Sequence, residues 1–315
     1  MPQPTDAEWA NLRDRETRLL QFAGTPVEQH DVTIGQHRIH YLTAGETTLP
    51  TLVMLHGRGS ASAMWLTAMA QLAQHRHLVM IDMPGWGLSS RTPFTGTTGQ
   101  SAVEWWRDAV LGTIDALNIQ RFDLMGHSLG GLIALAVALE RQQQIDHLIS
   151  EDGAGFASVA PFAVRLYFNL EPERLARIVT RSVFNYSTRN LINRQRNSPE
   201  LLREFSDFVY ALTTFPGTPQ SGALAFNKYV SVSGVHFSLR ERVPEIKILT
   251  RAIWGEKDTT VPLADSRAGI ALLPYGELKT IPGIMHSPHM EAPDQFSRLV
   301  LEFLARGTEI PVTQV

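Results

Sequence analysis

Apolar residues along the chain switch between two rhythms. Short, unbroken apolar runs that end in glycine or an acid alternate with longer stretches in which apolar positions recur every three or four residues. The runs are "TLVMLHG", "HLVMIDMPG", "FDLMG" and "IDHLISEDGAG". An unbroken run of this length predicts a strand buried on both faces. Between them, "ASAMWLTAMAQLAQH", "SAVEWWRDAVLGTIDAL" and "LGGLIALAVALERQQQ" predict helices. Strand and helix in strict alternation predict an α/β fold, a mostly parallel sheet with helices on both faces. In such sheets, functional groups lie on loops at the carboxyl ends of the strands.

Upstream, residues 7–22 predict an amphipathic helix, with Trp9, Leu12, Leu19 and Leu20 partly on one face. The alternating stretches "EQHDVTI" and "HRIHYLTAG" predict a hairpin around Gly35. From residue 154 the rhythm changes. "EPERLARIVTRSVF", "SPELLREFSDFVYALTTF" and "SGALAFNKYVSVS" predict helices with no buried strand between them. The strand pattern resumes at "KILTRAIWG", followed by a helix over 263–273, a strand at "LKTIPG" and a last helix over 293–306. The expected organisation is a core of residues 25–153 and 246–307, a helical cap of residues 154–245, and an N-terminal helical extension of residues 1–24.

Composition narrows the chemistry. Of 315 residues, 43% are hydrophobic and 19% charged, with a net charge of −3 and no lysine–arginine run, so neither a nucleic acid nor an anionic membrane is an expected partner. The absence of cysteine excludes disulfides, thiolate metal sites and a cysteine nucleophile. The polar N-terminal stretch has no signal-peptide core, and no apolar run reaches a membrane span; a soluble, cytoplasmic protein is expected.

The segment "LMGHSLGG" sets Ser128 between Gly126 and Gly130, after a predicted strand and before a predicted helix. A sharp turn there lifts a nucleophile out of the sheet, and side chains two residues either side would crowd it. The helix that follows directs its positive end at the site. A serine hydroxyl needs a base, and the base needs an acid. Asp258, in "AIWGEKDTTVP", and His286, in "LKTIPGIMHSPHMEAPDQF", each follow a predicted strand, in the chain order this architecture uses. His289 is a rival base and Asp152 a rival acid.

The pieces "HGRGSASAMW", "DMPGWGLSS", "GHSLGG", "WGEKDTTVP" and "HSPHMEAPDQF" together resemble the α/β-hydrolase superfamily, in its cap-bearing esterase and C–C hydrolase branch. The resemblance implies an α/β-hydrolase fold and a cofactor-free serine hydrolase that acts on a small-molecule ester through an acyl-enzyme. It favours His286 over His289, because the family's histidine precedes a Glu-x-Pro, as His286 precedes Glu291 and Pro293; Met285 stands where the family often has glycine. It also admits Asp152, since some relatives carry the acid there. The oxyanion donors it implies are the backbone N–H groups of Leu129 and Arg58. Relatives that use aspartate as nucleophile are disfavoured by Ser128. A C–C bond hydrolase, a lactonase and a perhydrolase remain open on the same triad, as does a non-catalytic ligand receptor.

For substrate binding the candidates are Trp65, Trp86 and Arg58. The tryptophans either pack the core or line the acyl pocket; Arg58 either faces an anionic acyl group or forms a structural ion pair. His56 and His127 are expected to hydrogen-bond loop backbone. His37 and His40, or His75 and His77, suggest a metal pair, but no carboxylate sits beside them at a ligand spacing, and no metal is expected. Phe162, Phe168, Phe184, Phe205, Phe208, Tyr210 and Phe215 are expected mostly in the core of the cap, with a minority over the pocket.

Overall fold

The computed structural model describes residues 3–170 and 198–308. Among these, one sheet of eight strands holds the molecule together, in the order β1-β2-β4-β3-β5-β6-β9-β10. Strands β1 (Val27–Ile34) and β2 (His37–Ala44) form the expected hairpin. Strands β3 (Thr51–Leu55), β4 (His77–Ile81), β5 (Phe122–His127), β6 (Ile145–Glu151), β9 (Leu249–Gly255) and β10 (Gly276–Ile281) run parallel to one another, as the continuous apolar runs predict. Two-residue strands β7 (Val230–Ser231) and β8 (Gly234–Val235) make a separate hairpin inside the insert, where only helices are expected.

The two-residue period of a strand divides these apolar runs between two cores. Val53, Leu55, Val79, Ile81, Leu124 and Trp254 face helices α3 (Gly99–Ala116), α4 (Leu129–Arg141) and α7 (Gly222–Tyr229). Leu52, Met54, Leu78, Met80, Met125 and Ile253 face the other way, towards α1 (Asp6–Leu20), α2 (Leu66–Leu72), α6 (Pro199–Thr214) and α10 (Pro293–Leu304). The remaining helices are α5 (Phe162–Asn169), α8 (Leu263–Ile270) and the single turn α9 (Pro288–Glu291).

Three expectations change. The helix expected at 61–75 begins as a 3-10 turn at Ser62–Trp65 before α2. Ser62 is tied twice to the neighbouring strand end: its N–H donates to Asp82 Oδ1 (2.6 Å) and its hydroxyl to the Met80 carbonyl (2.9 Å). Helix α1 is less an extension than a wall of the second core. A capping box between Thr5 and Glu8 starts it, and Leu12 and Leu19 are fully buried beneath it. Its Glu16, also fully buried, meets His40 of β2 at 2.9 Å. Helix α6 lies against α1, with the Trp9 ring tilted against Phe215 (4.6 Å) and Arg18 paired with Glu204 (3.1 Å). Phe205, Phe208 and Phe215 therefore belong to this core and not to a roof over the pocket. The helix expected at residues 171–184, with Phe184, lies outside the described residues.

Candidate active site

Strand β5 passes into α4 through Ser128, whose φ of 53° and ψ of −116° are strained for a residue with a side chain. The turn is tight enough that a Cβ on Gly126 would overlap the Gly130 carbonyl, and one on Gly130 the carbonyl of Leu55. Main-chain hydrogen bonds hold the strain. Ser128 N–H donates to the Glu151 carbonyl (3.0 Å), and the Ser128 carbonyl accepts from Ala154 N–H (2.9 Å). The hydroxyl thus stands at the N-terminus of α4.

His286 reaches this hydroxyl from the loop after β10. Its Nε2 lies 2.9 Å from Ser128 Oγ, and its Nδ1 lies 2.8 Å from Asp258 Oδ2. Asp258, in the loop after β9, also accepts at Oδ1 from the N–H groups of Thr260 (2.7 Å) and Val261 (3.1 Å). Burial works against its charge, but His286 and these two amides hold its carboxyl below the usual range. The carboxylate is thereby arranged to fix the Nδ1–H tautomer, leaving Nε2 to accept a proton from Ser128.

The loop carrying His286 is clamped on both sides. Glu291, in α9, accepts from the N–H of Met285 (3.0 Å) and of Ser287 (2.9 Å). His127, the residue before the nucleophile, donates from Nε2 to the His286 carbonyl (2.7 Å). His289 does not approach Ser128; it lies underneath, where its N–H and Nδ1 both meet Glu151 Oε1, at 2.7 and 2.8 Å. Burial pushes Glu151 up to about 7 and pushes His127 and His289 down to about 3, so both imidazoles are neutral. Sequence reasoning missed the clamp, although Glu291 is part of the motif that picked out His286.

The rival acid, Asp152, also lies close by. It directly follows β6, is fully buried, and accepts from Gly255 N–H at Oδ1 (2.9 Å). His286 hydrogen-bonds to Asp258 and not to it.

Arg58, Ser128 and Leu129 share the wall of one pocket with Phe168, Phe226 and Tyr229. Leu129 opens α4, so its N–H has no acceptor within the helix. The Arg58 guanidinium sits over three aromatic rings, 4.4 Å from Phe168, 5.0 Å from Phe226 and 5.5 Å from Trp86. Trp86 supports Arg58 from behind, packed across Gly222. Trp65 is buried in the second core against His289 (4.5 Å) and Phe296, so it does not line the pocket. His56 bonds the loop backbone as expected, to the Gly57 carbonyl and Met83 N–H.

Among the described residues, three imidazole or carboxylate groups come within 4.8 Å of one another at Glu16–His40–Asp82 and at Asp152–Asp258–His286. Both nitrogens of each histidine already face a hydrogen-bond partner: Glu16 and Asp31 for His40, Ser128 and Asp258 for His286. No described helix is long and apolar enough to cross a membrane.

Comparison with known proteins agrees with this architecture. The chain is 28% identical over 261 residues to 2-hydroxymuconate semialdehyde hydrolase of Pseudomonas sp. (strain CF600), an alignment covering 81% of this chain and 87% of that protein. It is 33% identical over 163 residues to 1-acylglycerol-3-phosphate O-acyltransferase of Arabidopsis thaliana, covering 46% of this chain and 39% of that protein. The chain thus matches well under half the length of that relative. The crystal structure of carboxylesterase CesB from Bacillus subtilis superposes with a TM-score of 0.72 at 18% identity, covering 95% of this chain and 99% of that one. The profile of the alpha/beta hydrolase fold matches residues 50–293, from the threshold of β3 to the first residue of α10, and the chain belongs to that family.

Proposed function

We propose that the chain is a serine hydrolase that cleaves carboxylic esters through an acyl-enzyme. The observation that carries this reading is the run of contacts from Ser128 Oγ to His286 Nε2 (2.9 Å) and from His286 Nδ1 to Asp258 (2.8 Å), opening onto a mostly apolar pocket. Ser128 Oγ attacks the ester carbonyl while His286 Nε2 takes its proton. The Leu129 and Arg58 N–H groups are assigned to the oxyanion. Collapse of the tetrahedral intermediate expels the alcohol, which takes the proton back from His286. Water then attacks the acyl-enzyme with His286 again as base, and the acid leaves. The substrate is a small ester, its acyl group held against the apolar residues that α5 and α7 of the insert bring to the pocket.

The test is turnover of p-nitrophenyl esters from acetate to palmitate, with Ser128→Ala in parallel. Turnover that falls on the order of 10⁴-fold or more in the variant supports the reading. Turnover that survives the substitution sinks it. A second reading, hydrolysis of a carbon–carbon bond, is favoured by the likeness to 2-hydroxymuconate semialdehyde hydrolase over most of both chains. A Ser128-dependent reaction with a vinylogous diketone acid, and none with esters, would select it.

A further inference from the structure

Asp152 is a buried carboxyl that the mechanism does not use, and its surroundings are unusual. Its backbone φ is 42°, one of the few positive values at a residue other than glycine. The main chain is pinned there, with Asp152 N–H donating to the Ile253 carbonyl (3.0 Å) and Oδ1 accepting from Gly255 N–H (2.9 Å). The other oxygen, Oδ2, is buried and has no hydrogen-bond donor near it. What it does have is another carboxylate. Oxygens of Asp152 and Asp258 and a ring nitrogen of His286 all lie within 4.8 Å of one another.

Two ionised carboxylates cannot share a buried site cheaply, and one proton between them resolves the conflict. Asp258 is served by three donors, from His286, Thr260 and Val261. Asp152 is served by one amide. The proton therefore belongs on Asp152, where it also accounts for Oδ2, a buried acceptor left without a donor.

We propose that Asp152 is a protonated positioning residue whose Oδ2–H donates to the carboxylate of Asp258, so that the acid behind His286 is a carboxyl–carboxylate pair sharing one negative charge. The proposal rests on the reading of Ser128, His286 and Asp258 as a triad. Burial first, and then the charges of Asp258 and Glu151, push the Asp152 carboxyl well above its ordinary range, in the same direction. The titratable groups around it are Asp258 and His286 on the loops after β9 and β10, and its chain neighbour Glu151, which is itself held by His289.

The experiment is the NMR titration of the His286 imidazole in the resting protein and in Asp152→Asn. Asparagine tolerates the left-handed backbone, keeps an oxygen for Gly255 and can donate to Asp258 through its amide. If Asp152 is neutral, this exchange removes no charge, and the His286 midpoint stays where it is. If Asp152 is ionised, the variant loses a negative charge close to the imidazole. The midpoint then falls by about one pH unit or more, and the proposal is overturned. Should the variant not fold, aspartate carboxyl ¹³C titration of the unaltered protein answers the same question. An aspartate still protonated at neutral pH supports the proposal; aspartates that are all ionised overturn it. Neither measurement uses turnover, so inactivity of the unaltered protein on esters would count against the hydrolase reading alone.

Discussion

His127 Nε2 and the main-chain carbonyl of His286 are 2.7 Å apart, so the residue before Ser128 holds the backbone of His286. Ser128 and His286 come from loops far apart in the chain, and this bond links the two loops. The His127 ring is neutral, because burial pushes it down to about 3, and it acts as a fixed donor throughout the working range. His127→Ala is expected to lower kcat by roughly 10–100-fold with a smaller change in KM, the mark of misplacement rather than lost binding. Steady-state kinetics on the preferred ester checks it; a change confined to KM would contradict it.

Glu291 should matter for a related reason. Its carboxylate accepts from the amides on either side of His286. Hydrogen bonds to a charged group contribute about 1.5–3 kcal/mol each. Glu291→Ala is expected to cost about 2 kcal/mol or more in urea denaturation and to lower kcat. Glu291→Gln keeps one acceptor oxygen and should fall between the two proteins.

A third prediction concerns α1. His40 is buried, which disfavours its charge, but Glu16 and Asp31 face its two nitrogens and raise it from 6.5 to about 10. A raised folded-state value means that stability from the imidazolium is complete below pH 6.5 and lost as pH rises through about 10. Asp31 has the opposite sign. Burial opposes its charge, yet His40, Arg38 and Arg13 lower it from 3.8 to about 2, so its contribution is lost as pH falls through about 2. The melting temperature should therefore fall steadily between pH 7 and 10. Glu16→Ala should cost about 3–5 kcal/mol near neutrality, as expected when one member of a buried pair is removed. A variant as stable as the parent would show that the pair does not fasten α1.

Arg58 is expected to separate substrates by charge. Its guanidinium lies over the Phe168 and Phe226 rings, and Arg58 lines the pocket with both. Arg58→Ala should reduce kcat/KM for esters bearing a carboxylate at least tenfold more than for neutral esters of equal length. Equal losses would assign the residue to structure instead.

Gly126 and Gly283 make a paired test of the turn. An added Cβ at Gly126 meets the Gly130 carbonyl; at Gly283, with a φ of 77°, it meets nothing within 4 Å. Gly283→Ala should cost about 1 kcal/mol for its backbone alone. Gly126→Ala should cost several times that and abolish ester turnover, as thermal melts and activity would report.

The strands and Ser128 were legible because each depends on residues adjacent in sequence: an apolar run, or glycines flanking one serine. The order of Asp258 and His286 followed from the same strand ends. Residues whose role depends on distant partners were not legible. Trp65 ends the segment HGRGSASAMW, yet it packs under the site against His289, a contact that depends on how far α9 lies from β3 in the chain and how close in space. Helix α6 resembles a cap helix by its apolar face, but α1 is what covers that face. Asp258 is the acid the sequence favours and Asp152 its rival; only the packing of β6 beside β9 shows both at one place.

Ser128 also bears on how this protein would respond to selection. A residue with a side chain held at a φ of 53° is less comfortable than glycine would be at the same place. Ser128→Gly should melt at a higher temperature than the parent while doing no chemistry. A library screened for heat resistance alone would therefore enrich dead molecules at this position, and only a screen that also demands turnover would keep the serine.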